Sequence, residues 1–92
     1  MSGSSNGTVS RTVRIPDGVD LHARPAGQLV RAAAAQGTPI VLRTNGREAN
    51  AASILQVLAL GATGGTAIVV EAGGDAAQAA VDAIAELLAS LV

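Results

Sequence analysis

Asn45-Gly46 constrains the architecture of this chain more than any other pair of residues. Both tolerate positive φ, and a two-residue turn built on them joins two neighbouring antiparallel strands. The spacing predicts one strand over Ile40 to Thr44, opened by Pro39, and a return strand from Arg47 to about Asn50. The return strand is short and polar, as suits a sheet edge. Val9 to Ile15 sets Val9, Val13 and Ile15 against Ser10, Thr12 and Arg14, which predicts a half-buried strand even though Arg11 falls on its apolar side. Gly64-Gly65 turns the chain into Thr66 to Glu71, whose continuous Ala67-Ile68-Val69-Val70 run suits a central strand.

Helical patterns fill the gaps. After the Pro16-Asp17-Gly18 break, Ala26, Leu29, Val30 and Ala33 recur at helical spacing, predicting a helix from His22 or just after it to about Gln36, with Gly37 as its stop. Ser53 and Gln56 form a capping-box pattern at the head of a short helix that runs to about Leu60 and ends at Gly61. Its Ile54, Leu55, Val57, Leu58 and Leu60 are too many for one buried stripe, so part of this apolar surface should stay exposed as a docking face. Asp75 is the expected N-cap of a last helix, with Ala77, Ala80, Val81, Ile84, Leu87, Leu88 and Leu91 inward and Gln78, Asp82 and Glu86 in water. The order β-α-β-β-α-β-α predicts an α+β fold in two layers, a four-stranded sheet with helices on one face. Residues 8–92 are expected to form a single domain, and the Ser- and Gly-rich residues 1–7 a disordered tail or a remnant of cloning.

Composition narrows the function. The chain is 49% apolar without one Phe, Tyr or Trp, so its core must be Ala, Val, Leu and Ile. Six arginines and no lysine against seven acids leave a net charge of -1, which supplies no general attraction for nucleic acid or anionic membranes. RNA binding on an open sheet is disfavoured further, because such surfaces stack bases on aromatic side chains. Absence of cysteine excludes disulfides and thiolate nucleophiles, and a single histidine cannot build a multi-histidine metal centre, so no metal or cofactor is expected. There is no apolar run of about 18 residues and no basic start followed by an apolar stretch, so the expectation is a cytoplasmic protein without membrane insertion. A monomer is expected.

The chemistry concentrates in Leu21-His22-Ala23-Arg24-Pro25-Ala26-Gly27. Imidazole is the side chain that changes protonation around neutral pH, and His22 is the one copy in the chain. Arg24 adds a fixed positive charge two residues on, and a helix beginning here leaves N–H groups unpaired, so an anion would be held at this point. Pro25 carries no N–H, which suits a first helical turn, but it disfavours helical geometry at Arg24.

The string Leu-His-Ala-Arg-Pro-Ala resembles the active-site signature of HPr, the histidine-containing phosphocarrier family of the bacterial phosphoenolpyruvate-dependent sugar phosphotransferase system. Asn50-Ala51-Ala52-Ser53-Ile54-Leu55 resembles a second signature at the family's spacing, and the likeness runs from about Val13 to Leu88. The resemblance implies an open-faced β-sandwich, an antiparallel sheet in the order 1-4-2-3 with three helices on one side. It implies that His22 takes a phosphoryl group on Nδ1 from enzyme I, charged by phosphoenolpyruvate, and passes it to enzyme IIA domains. The chain would thus be a covalent intermediate in a relay, not an enzyme. By the same resemblance Arg24 stabilises the phosphoryl group, and Leu21, Ala23, Gly27, Ile54, Leu55, Gln56 and Leu58 form the docking surface. Ser53 matches a serine that a dedicated kinase and phosphatase regulate in some bacteria, a role compatible with capping. A regulatory paralogue, binding partner proteins according to its phosphorylation state, is the alternative. The chain departs from the motif at Asp20, where glycine is usual, and around the serine helix, where Ala52, Leu55, Gln56 and Leu58 replace the frequent lysine or methionine.

Overall fold

The structure, a computed structural model, describes residues 8–91. The elements are β1 (Val9–Arg14), α1 (Ala23–Ala34), β2 (Ile40–Thr44), β3 (Arg47–Asn50), α2 (Ile54–Ala59), β4 (Ala67–Ala72) and α3 (Ala77–Ala89). The tail expected over residues 1–7 lies outside the described residues.

All pairings are antiparallel, in the order β1-β4-β2-β3. Asn45 and Gly46 take φ of 54° and 74°, the left-handed values a two-residue hairpin turn requires, and Thr44 pairs with Arg47 across it. The last strand enters between the first two: Val69 faces Thr12 on β1 and Arg43 on β2. Alternation along the strands divides the sheet into two faces. Val13, Ile40, Leu42, Ile68, Val70 and Ala72 are buried beneath the helices. On the uncovered face Arg43 reaches Glu48 of β3 at 2.8 Å and also Glu71 of β4. α3 packs on β1 and β4, α2 on β3, and α1 on both other helices. Thr44, the one buried polar residue among the described residues, donates its hydroxyl to the Ala67 carbonyl at 2.9 Å.

Aliphatic side chains fill the space between the layers. The largest fully buried ones include Ile15, Leu29, Leu42, Ile68, Ile84 and Leu88, with Leu42 and Ile68 from the sheet and the last two from α3. Most of the predicted inward stripe of α3 is buried, with Leu87 only partly covered. Arg11 lies on the covered side of β1 without entering the core. It leans to Asp82 on α3 at 3.2 Å, and because both side chains are nearly half exposed the pair contributes at most about 1 kcal/mol.

Three local expectations are corrected. Helix α1 ends at Ala34, before Gly37, because its final carbonyls find other partners: the Ala35 N–H is shared between Arg31 and Ala32, and Gln36 donates its side-chain amide to Ala32 at 3.3 Å. No left-handed residue is needed there. Asp75 does not cap α3; the turn in which Ala77 N–H bonds the Gly74 carbonyl moves the cap to Ala76, whose side chain can accept nothing. The capping box at α2 is only half formed. Ser53 Oγ accepts from the Gln56 N–H at 3.3 Å, but the Gln56 side chain turns to the Asn50 N–H at 2.8 Å, tying α2 to β3, while Ser53 N–H bonds the Asn50 carbonyl.

Candidate functional site

The loop from β1 to α1 is fixed by main-chain bonds before it reaches His22. Ile15 exchanges hydrogen bonds with the loop ahead of β4, donating to Thr66 at 3.0 Å and accepting from Gly65 at 2.8 Å. Val19 N–H closes a turn on the Pro16 carbonyl at 3.2 Å, and Leu21 N–H bonds Ala62 at 3.0 Å. Backbone lies directly on backbone here. A Cβ on Gly64 would stand 2.6 Å from the Gly18 nitrogen and 3.0 Å from the Pro16 oxygen, so no side chain fits without moving the loop. Gly64→Ala should therefore destabilise the protein by about 1–3 kcal/mol, as overpacking does, which a denaturant titration would read.

His22 is the N-cap of α1, with extended backbone (φ −100°) and an exposed side chain that makes no capping bond. Its carbonyl accepts the first helical bond, from Ala26 N–H at 2.9 Å. That leaves the N–H groups of Ala23 and Arg24 without a helical acceptor, while Pro25 at the next position has none to satisfy. The helix thus starts at Ala23 in spite of the proline. Pro25, Ala26, Leu29 and Ala33 are the buried residues of α1 and anchor it to the core. Arg24 is exposed and enters none of the ion pairs among the described residues. His22 and Arg24 both line one open cleft of about 390 Å³, together with Gly18, Val19, Asp20, Pro25 and Gln28. A small anion placed there would gain charge-assisted hydrogen bonds and the favourable end of the helix dipole.

The neighbouring helix carries the apolar surface expected of a docking face. Leu55 is 77% exposed, Ile54 38% and Leu58 37%, whereas Val57 points into the core. Gln56 and Ala23 are exposed, Gly27 and Ser53 half-buried. Leu21 is a correction: at 3% exposure its side chain belongs to the core, so it cannot supply docking surface, and its part is to seat the loop that bears His22. One residue joins the site that sequence reading passed over. Gln28 lies one turn beyond Arg24 and lines the cleft, a neighbour that i,i+4 spacing could have revealed. Arg31 folds back along α1, its Nη1 3.8 Å from where a Cβ on Gly27 would be. Asp20 accepts a hydrogen bond from Gly64 N–H at 3.2 Å.

Comparisons with known proteins agree with this fold. Residues 9–90 match the family model described as the PTS HPr component phosphorylation site. The chain is 45% identical over 80 residues to the phosphocarrier protein HPr of Streptomyces coelicolor, covering 86% of each chain. It is 34% identical to that of Haemophilus influenzae, covering 89% of this chain and 96% of the relative. Among solved structures, an HPr from Bacillus anthracis superimposes with a TM-score of 0.85 at 29% identity, over 90% of this chain and 99% of that one. Fold and matched sequence together define an open-faced sandwich of the phosphocarrier class. The chain belongs to the HPr family of the phosphotransferase system.

Proposed function

We propose that this protein carries phosphoryl groups on His22, accepting them from enzyme I and delivering them to enzyme IIA domains. The reading is supported above all by an exposed, uncommitted imidazole standing beside an unpaired arginine at the start of α1. The neutral ring attacks phosphorus with the Nδ1 lone pair while the other nitrogen keeps its proton; the donor's bond to phosphorus breaks as the N–P bond forms. Delivery is the same exchange in reverse. Arg24 and the Ala23 and Arg24 N–H groups neutralise part of the phosphoryl charge, the helix end contributing about 0.3–1 kcal/mol when exposed. Modest stabilisation suits a carrier, because a tightly held group would not be passed on.

Partners reach His22 across Ala23, Gly27 and the exposed Ile54, Leu55, Gln56 and Leu58 of α2. Exposed apolar side chains rimmed by polar ones are the usual form of a protein-binding patch. Incubation with phosphoenolpyruvate, enzyme I and a IIA domain tests the function: label should pass through the chain to IIA. Label that enters and stays would favour a regulatory role instead.

Ser53 is proposed as a second, regulatory phosphorylation site for a serine kinase, since its hydroxyl caps the helix that bears this patch. Phosphate would remain compatible with a helix start while placing nearly two negative charges beside apolar docking surface. Ser53→Glu should slow transfer from enzyme I severalfold with little change in thermal stability. Transfer at the wild-type rate would remove the switch.

A further inference from the structure

Asp20 replaces the glycine usual in the motif, and its side chain is committed to a contact no glycine could make. Asp20 Oδ1 accepts from Gly64 N–H at 3.2 Å, across 44 residues of sequence. The adjacent Leu21 N–H bonds Ala62 at 3.0 Å, so the site loop is held to the segment ahead of β4 at two successive residues. The Asp20 carbonyl also accepts from the His22 N–H at 2.9 Å. One residue thus grips the neighbouring loop with its carboxylate and the imidazole-bearing residue with its main chain.

We propose that Asp20 is a positioning residue for His22, a latch between the site loop and Gly64 that sets the ring over the cleft it shares with Arg24. This rests on the reading of His22 as the phosphoryl acceptor. The close approach at Gly64 shows that the two loops are already pressed together, and the latch occupies the Gly64 N–H, which a glycine at position 20 would leave to water. A second consequence concerns charge. Asp20 and Arg24 line the same cleft, yet no ion pair joins them among the described residues. Holding the carboxylate on Gly64 keeps it off the guanidinium, which stays available to a phosphoryl group.

The test compares Asp20→Ala with Asp20→Asn, whose amide oxygen can still accept from Gly64 without carrying charge. Enzyme I-dependent phosphorylation of Asp20→Ala should show a kcat lowered about fivefold, the factor one ordinary hydrogen bond corresponds to, with KM unchanged because the α2 patch is untouched. Asp20→Asn should restore most of the rate. Amide hydrogen exchange at Gly64, measured without any partner, should be faster in Asp20→Ala and near wild type in Asp20→Asn. Wild-type rates in Asp20→Ala, or equal losses in both variants, would overturn the positioning role while leaving the carrier function standing. A wild-type chain that takes no label overturns the carrier function and the positioning role with it.

Discussion

His22→Ala is expected to abolish phosphoenolpyruvate-dependent labelling and to leave the fold intact. The chain has no second imidazole to take over, and serine and threonine hydroxyls are weak nucleophiles unless a neighbouring base activates them. Stability should hardly change, because the fold uses only the main chain of this residue. Its carbonyl bond to Ala26 survives the substitution, its side chain makes no cap bond to lose, and it is exposed. A change within about 0.5 kcal/mol is therefore expected, as for surface substitutions elsewhere. Labelling and thermal unfolding, read on the same preparation, separate the two effects. Undiminished label would place the acceptor at another residue.

Leu29→Ala should give the largest loss of stability among single changes near the site, about 2–5 kcal/mol. Leu29 is fully buried, and the other buried residues of α1 are Pro25, Ala26 and Ala33. One large side chain therefore seats the helix that presents His22. With no aromatic ring nearby to swing into the gap, the cavity should stay largely open. Domains of this size have about 5–15 kcal/mol in total, so the variant should melt far below the wild type and show a lower denaturant midpoint at unchanged slope. A loss under about 1 kcal/mol would mean that the small residues around α1 collapse into the space.

Local signals in the sequence carried the parts of this structure that depend on neighbours in the chain. Asn45-Gly46 encodes its own hairpin, the Ala67 to Val70 run reads as the central strand it is, and Ser53 caps α2 as its position suggests. The strand order was different: alternation along β1 and β4 cannot say that β4 inserts between β1 and β2, and only the likeness to a known family supplied it. The place of His22 at the exposed start of α1 was legible because helical spacing begins just after it, and a lone imidazole beside an arginine made it the candidate acceptor. Leu21 was not, since a loop has no periodicity from which to read that it points inward. The Asp20 to Gly64 bond joins residues far apart in sequence, and the missing room at Gly64 exists only once two loops have met. Asp75 misled for the opposite reason: a good capping residue is useless when a turn shifts the helix start past it.

The most direct test of phosphoryl transfer through His22 is the chemical stability of the label that enzyme I and phosphoenolpyruvate place on the wild-type chain. An N–P bond to imidazole is lost in acid and kept in alkali. The label should therefore disappear on brief acid treatment, survive alkali, and map to the peptide containing His22. Acid-stable label, of the kind a serine ester gives, would contradict the account.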